Sequence, residues 1–93
     1  MLLKADIRFR RNQYDDGFGF TCLKAAYHFG IKGRMDYSKK DGVVIKAEGE
    51  SRSIREFLHW IEGNAFEINE LNYSHSPIDQ SRFREFDLFR HAG

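Results

Sequence analysis

The sequence predicts an α+β domain built in the order βαββαβ, with two helices on one face of an antiparallel sheet and a short extra strand at the C-terminal end. Three observations predict it. The chain opens on a run of period two, two segments with helical spacing follow the first and third apolar strands, and an Asp-Gly pair separates the second strand from the third.

The first strand covers Leu3 to Phe9, where Leu3, Ala5, Ile7 and Phe9 are apolar and Lys4, Asp6 and Arg8 are charged. Strict alternation of this kind marks a strand with one buried face. Asn12 to Gly19 holds Asp15, Asp16, Gly17 and Gly19, residues that favour turns, and reads as a loop feeding a helix. Phe18, Cys22, Ala25, Ala26 and Phe29 then recur at three- and four-residue steps, and Gly30 supplies a helix stop. Ile31 to Tyr37 and Val43 to Glu48 read as an antiparallel hairpin closed by Asp41-Gly42. Ser53, three residues before Glu56, fits a capping box, and Ile54, Phe57, Leu58 and Ile61 form a second helical stripe ended by Gly63. Phe66 to Tyr73 gives a fourth strand and Phe83 to Phe89 a short fifth, with Pro77 breaking the chain between them. Helices inserted after the first and third strands must cover the apolar side of one sheet, which is a ferredoxin-like arrangement.

At 93 residues the chain supports one core and not two, so a single domain spanning 1–93 is expected. Apolar residues make up 41% of it, with nine Phe, enough for a core without disulfides. Fifteen Lys and Arg against fourteen Asp and Glu leave a net charge of +1, interleaved along the chain. That balance argues against nucleic acid as a partner, including RNA on the open sheet face. Cys22 is the only cysteine, which excludes an internal disulfide and argues against a thiolate zinc site. The N-terminus, MLLKADIRFRR, holds no apolar run of the length a signal peptide or membrane helix needs. The expectation is a cytoplasmic chain with no membrane partner.

Several stretches, in this order and spacing, resemble the acylphosphatase family across nearly the whole chain. They are GIKGRMDY, the Asp41-Gly42 hairpin, Ala47-Glu48-Gly49, the Phe57-Leu58 helix, Ile68-Asn69-Glu70-Leu71, and Phe83-x-x-Phe86-x-Leu88. No single one is specific, but the ordered set is. The resemblance implies hydrolysis of carboxyl-phosphate bonds without metal, cofactor or covalent intermediate. In the family a loop ending Gly-x-Gly-Phe-Arg holds the phosphoryl oxygens through backbone amides and one arginine, as suits an anion at a helix start. An asparagine, placed by a second motif Gly-x-x-Gly-x-x-x-Asn, orients the attacking water.

The phosphate-loop equivalent here is Tyr14, Asp15, Asp16, Gly17, Phe18 and Gly19, and both side chains are missing from it and from the second motif. An ungapped first helix puts Gly19 at the arginine position, and the rival alignment puts Thr21 there. The asparagine position falls on Tyr37, or on Ser38 if the extra hairpin residue is placed earlier. Asp15 and Asp16 also stand in a loop that is uncharged in the family. Two like charges ~4 Å apart cost about 4 kcal/mol at an effective dielectric near 20.

The reading that follows is a family member with a degenerate active site and little or no acyl-phosphate hydrolysis. It would act as a small binding or interaction module for a small anion or a protein that the sequence does not identify. The alternative is a divergent acylphosphatase in which Arg10 or Arg11 substitutes for the missing arginine. Arg8, Arg10 and Arg11 are expected to project to solvent, and Arg34 to hold an exposed strand position. Tyr37 either fills the vacated pocket with its ring or hydrogen-bonds a ligand. Asp15, Asp16 and Asp36 are turn and strand residues before they are cation ligands, and no metal is expected. His28, His59, His75, His91 and Trp60 read as surface residues, and Cys22 as inert packing.

Overall fold

The computed structural model describes residues 1–12, 17–63 and 68–91. Its elements are β1 (Leu2–Arg10), α1 (Phe18–Phe29), β2 (Lys32–Ser38), β3 (Gly42–Glu50), α2 (Ser51–Gly63), β4 (Asn69–Pro77) and β5 (Phe86–Arg90). The sheet has the order β4-β1-β3-β2-β5, and the alternation read in β1 carries through it. Ala5, Ile7 and Phe9 of β1, Met35 and Tyr37 of β2, and Val43, Ile45 and Ala47 of β3 all turn to the helix-covered side and are buried. Phe18, Cys22 and Ala26 of α1 and Ile54, Phe57 and Ile61 of α2 close the core from above. The expected two-helix, ferredoxin-like arrangement is present.

Local chemistry sets the element ends. α1 stops in a Schellman motif at Gly30, whose φ is 72°: Gly30 N–H donates to Tyr27 O and Ile31 N–H to Ala26 O. Gly33 has a φ of 145°, and a Cβ there would lie 1.8 Å from Lys46 O. Only glycine lets β2 approach β3 this closely.

The structure corrects four expectations. The sheet is mixed, because β5 pairs parallel to β2, in register Gly33 with Phe86 and Tyr37 with Arg90. β4 ends beside the start of β1, and the following segment runs along that end of the sheet to the start of β2, so β5 and β2 leave together. Second, no capping box forms at Ser53. α2 begins at Ser51 directly after β3, which puts Ser53 inside its first turn, while the Glu56 carboxylate accepts from Arg52 Nε at 3.1 Å. Third, Trp60 is half-buried and not a bare surface residue. Three residues after Phe57 it falls at the edge of the apolar stripe, and the two rings stack 6.2 Å apart with planes 5° from parallel. Fourth, β4 and β5 start later than the sequence suggests, at Asn69 and Phe86.

Phe57 is fully buried at the meeting of Phe29, Trp60 and Phe86, whereas Trp60 covers it from outside. Phe57→Ala should therefore cost ~3 to 5 kcal/mol in denaturant unfolding, and Trp60→Ala distinctly less. A tryptophan variant that proves the less stable of the two would contradict this packing order.

Candidate functional site

The site predicted from sequence lies where β1 ends and α1 begins. Tyr14, Asp15 and Asp16 fall outside the described residues. The remaining positions are all placed. Gly17 starts α1 with a φ of 78° and no side-chain cap, and both the N–H and the hydroxyl of Thr21 donate to its carbonyl at 3.1 Å. Thr21 is thus engaged in the helix start. Ser38 is also committed, its Oγ accepting the Asp41 N–H at 2.9 Å to close the hairpin turn.

Tyr37 turns inward and is only 4% exposed. Its ring lies 6.2 Å from that of Phe18, which meets Phe9 edge-on at 5.7 Å. The expectation that Arg11 projects to solvent is overturned, because it is 5% exposed. The Arg11 guanidinium stacks 4.2 Å above the Phe18 ring and donates to the Tyr37 hydroxyl at 3.1 Å. The reason is parity: position 11 continues the inward series of Ile7 and Phe9. Arg8 and Arg10 keep the outward parity. Arg10 donates to Lys40 O at 3.0 Å and pairs with Glu70 at 3.3 Å, away from α1.

Gly19 is buried beneath β5. A Cβ built on it would meet Leu88 Cδ2 at 3.0 Å and Arg90 Nη2 at 3.7 Å. Arg90, which sequence reasoning missed, thereby brings a guanidinium next to the position that the resemblance pairs with the family arginine. Its Cζ sits 5.3 Å from the Phe20 ring and 5.9 Å from the Tyr37 ring. No motif marks Arg90, since only the parallel pairing of β5 with β2 carries it there.

Two guanidinium groups and the start of a helix therefore converge on Tyr37, and all of them favour negative charge. Cys22 is buried on the same helix. Burial pushes its thiol up to about 12, with Arg11 opposing the rise. Elsewhere, Arg34 is half-buried and not plainly exposed as expected, while His91 is exposed as expected and touches the same carboxylate. Arg34 makes a two-pronged contact with Asp36 at 2.8 and 2.9 Å, stacks on Phe89, and leaves His91 Nε2 2.8 Å from Asp36 Oδ1. The Arg34 hydrogen bonds, with help from His91, hold the Asp36 carboxyl below its usual range. No helix among the described residues is long and apolar enough to cross a membrane.

The acylphosphatase sequence profile matches residues 15–88, and the chain belongs to the acylphosphatase family. Solved structures agree on the fold. Full-length HypF in its phosphate- and nucleotide-bound form is 19% identical with a TM-score of 0.83, and the match covers 99% of this chain and 12% of that one. An acylphosphatase from Coxiella burnetii is 15% identical with a TM-score of 0.78, covering 94% of this chain and 92% of its own. The acylphosphatase from Bacillus subtilis is 19% identical with a TM-score of 0.77, covering 95% and 98%. The chain thus spans about an eighth of HypF and nearly all of the two acylphosphatases. No curated protein sequence matches it significantly.

Two outcomes test this geometry. Gly19→Arg should destabilise the fold by roughly 1 to 3 kcal/mol by overpacking against Leu88, and combining it with Leu88→Ala should recover much of that loss. Additive losses in the double variant would mean that Leu88 is not the obstacle. Cys22 should resist iodoacetamide at pH 8 in the native protein and react once it is unfolded, because a thiol raised to about 12 holds almost no thiolate there.

Proposed function

We propose that this acylphosphatase-family domain has exchanged catalysis for binding, and that it recognises a small anion or a protein partner with little or no acyl-phosphate hydrolysis. The observation that carries the reading is Gly19. At the position that resemblance pairs with the phosphate-binding arginine there is no side chain, and Leu88 packs against the space where one would start. Tyr37, paired with the water-orienting asparagine, supports the same reading, because its phenol is buried and already accepts from Arg11. A reaction that depends on positioning loses most of its rate when the groups that position phosphate and water are both replaced.

Arg11 and Arg90 favour a second reading, a divergent hydrolase with a relocated guanidinium. Arg11 is held in place by Phe18 and Tyr37, and Arg90 is the more accessible of the two. Assaying the purified chain with benzoyl phosphate separates the readings. No turnover above the spontaneous rate is expected. Turnover at an enzymatic rate that Arg90→Gln or Arg11→Gln abolishes, in variants shown by circular dichroism to fold, would overturn the binding-module reading in favour of the enzyme.

A further inference from the structure

The face of the sheet opposite the helices carries a second pocket, far from Gly19 and Tyr37. The segment 78–85 crosses this face as a strap between β4 and β5. Ile78 N–H ties its start to Leu2 O at 3.0 Å, and Gly33 N–H ties its end to Glu85 O at 3.0 Å. Its middle is fixed by Glu48, whose Oε1 accepts from Ser81 Oγ at 2.7 Å, Arg82 N–H at 2.7 Å and Phe83 N–H at 3.1 Å. Glu48 is only 4% exposed although it stands on the open face, because the strap covers it. Burial alone would push its carboxyl up, but the hydrogen bonds from Ser81, Arg82 and Phe83 outweigh that and hold it below its ordinary range. The strap is thereby pinned as one wall of a cavity of about 520 Å³ above β1, β3 and β4. That volume suits a small metabolite.

The polar groups of this cavity divide in a telling way. Its acceptors are engaged: Asp6 takes Arg8 Nε at 3.3 Å and Lys46 Nζ at 3.2 Å, and Glu48 Oε1 takes its three donors from the strap. Its donors are not. Among the described residues the ammonium of Lys4 and the hydroxyls of Ser74 and Ser76 make no hydrogen bond or ion pair, and the guanidinium of Arg82 makes no hydrogen bond and acts on Glu48 through its charge alone; all four residues line the cavity. Register brings them together, Lys4 opposite Ser76 and Asp6 opposite Ser74. Donors with capacity to spare beside carboxylates that already hold partners call for a ligand made of acceptors.

We propose that the strap pocket binds a small oxyanionic metabolite, whose carboxylate or phosphoryl group is held by Lys4 and Arg82 with the Ser74 and Ser76 hydroxyls. This site is independent of the α1 site and of whether that one hydrolyses anything. The test is an amide chemical-shift titration of the full chain with inorganic phosphate and, separately, with citrate, at matched ionic strength. Saturable shifts at residues 4–6, 46–48, 74–76 and 82–83 are expected with at least one of them, and whichever anion saturates identifies the group recognised. Arg82→Gln and Lys4→Gln should each weaken binding about tenfold, the loss of one charge-assisted hydrogen bond, while Lys24→Gln on α1 should leave it unchanged. The proposal fails if neither anion produces saturable shifts there, if Arg82→Gln binds as well as the native chain, or if the shifts gather at residues 17–19 and 37. The last result would move the anion to the α1 site and leave the function proposed above standing.

Discussion

After β4 the chain stands at one edge of the sheet, and β5 is laid at the other, four strand spacings away. Those spacings amount to ~19 Å. The residues 78–85 that make the crossing reach at most ~3.3 to 3.6 Å each, more than the span requires, and the strap lies close to the sheet because Leu2, Glu48 and Gly33 hold it there. A segment held so close to a sheet needs partners for its backbone, and the Glu48 carboxylate supplies them by taking two strap amides and one hydroxyl on a single oxygen. Both sites depend on this crossing. On the open face it walls the cavity, and on the helical face it delivers Leu88 over Gly19 and Arg90 toward Tyr37.

The helical face is shaped by a buried cation. An arginine that is 5% exposed is tolerable only if its guanidinium is bonded and stacked, since a charge taken out of water is costly when unmatched. Arg11 finds the Phe18 face below it and the Tyr37 oxygen beside it. Tyr37 and Arg11 are therefore coupled: an asparagine at 37, one ring shorter, would leave the guanidinium without this hydroxyl. Reverting single residues toward the family pattern disturbs a packed unit and does not merely refill an empty slot.

Much of the fold was legible because its signals are local. Period two in β1, the Asp41-Gly42 turn, Gly30 and the stripe Ile54, Phe57, Leu58 and Ile61 all mean in the structure what they mean in the sequence. What was not legible depends on partners distant in the chain. A parallel β5 follows from the route of the strap, a buried Glu48 from what crosses above it, and the position of Arg90 from the neighbour of β5. Arg11 is a different case. The alternation that identifies β1 already assigns position 11 to the inner face, but a charged residue there disguises the continuation of the pattern. Gly19 and Tyr37 were located by their motifs, but their surroundings came from β1 and β5, beyond either motif.

Membership of a family fixes the scaffold more firmly than it fixes the chemistry, because chemistry sits in a few side chains placed on the scaffold. Here the scaffold keeps a helix start and a glycine-lined approach, with Gly17 in the left-handed region and Gly19 beneath β5. These features favour an anion whatever follows. Hydrolysis asks for more, since phosphate and water must be held at a set distance from each other, and under the proposed reading that demand falls on Gly19 or Thr21 and on Tyr37 or Ser38. Attraction to an anion survives changes of a few ångströms in where a guanidinium sits, whereas alignment of a nucleophile does not. Binding is therefore the property such a site retains longest as its side chains change, and the donor-rich cavity on the other face has the same preference built from different residues.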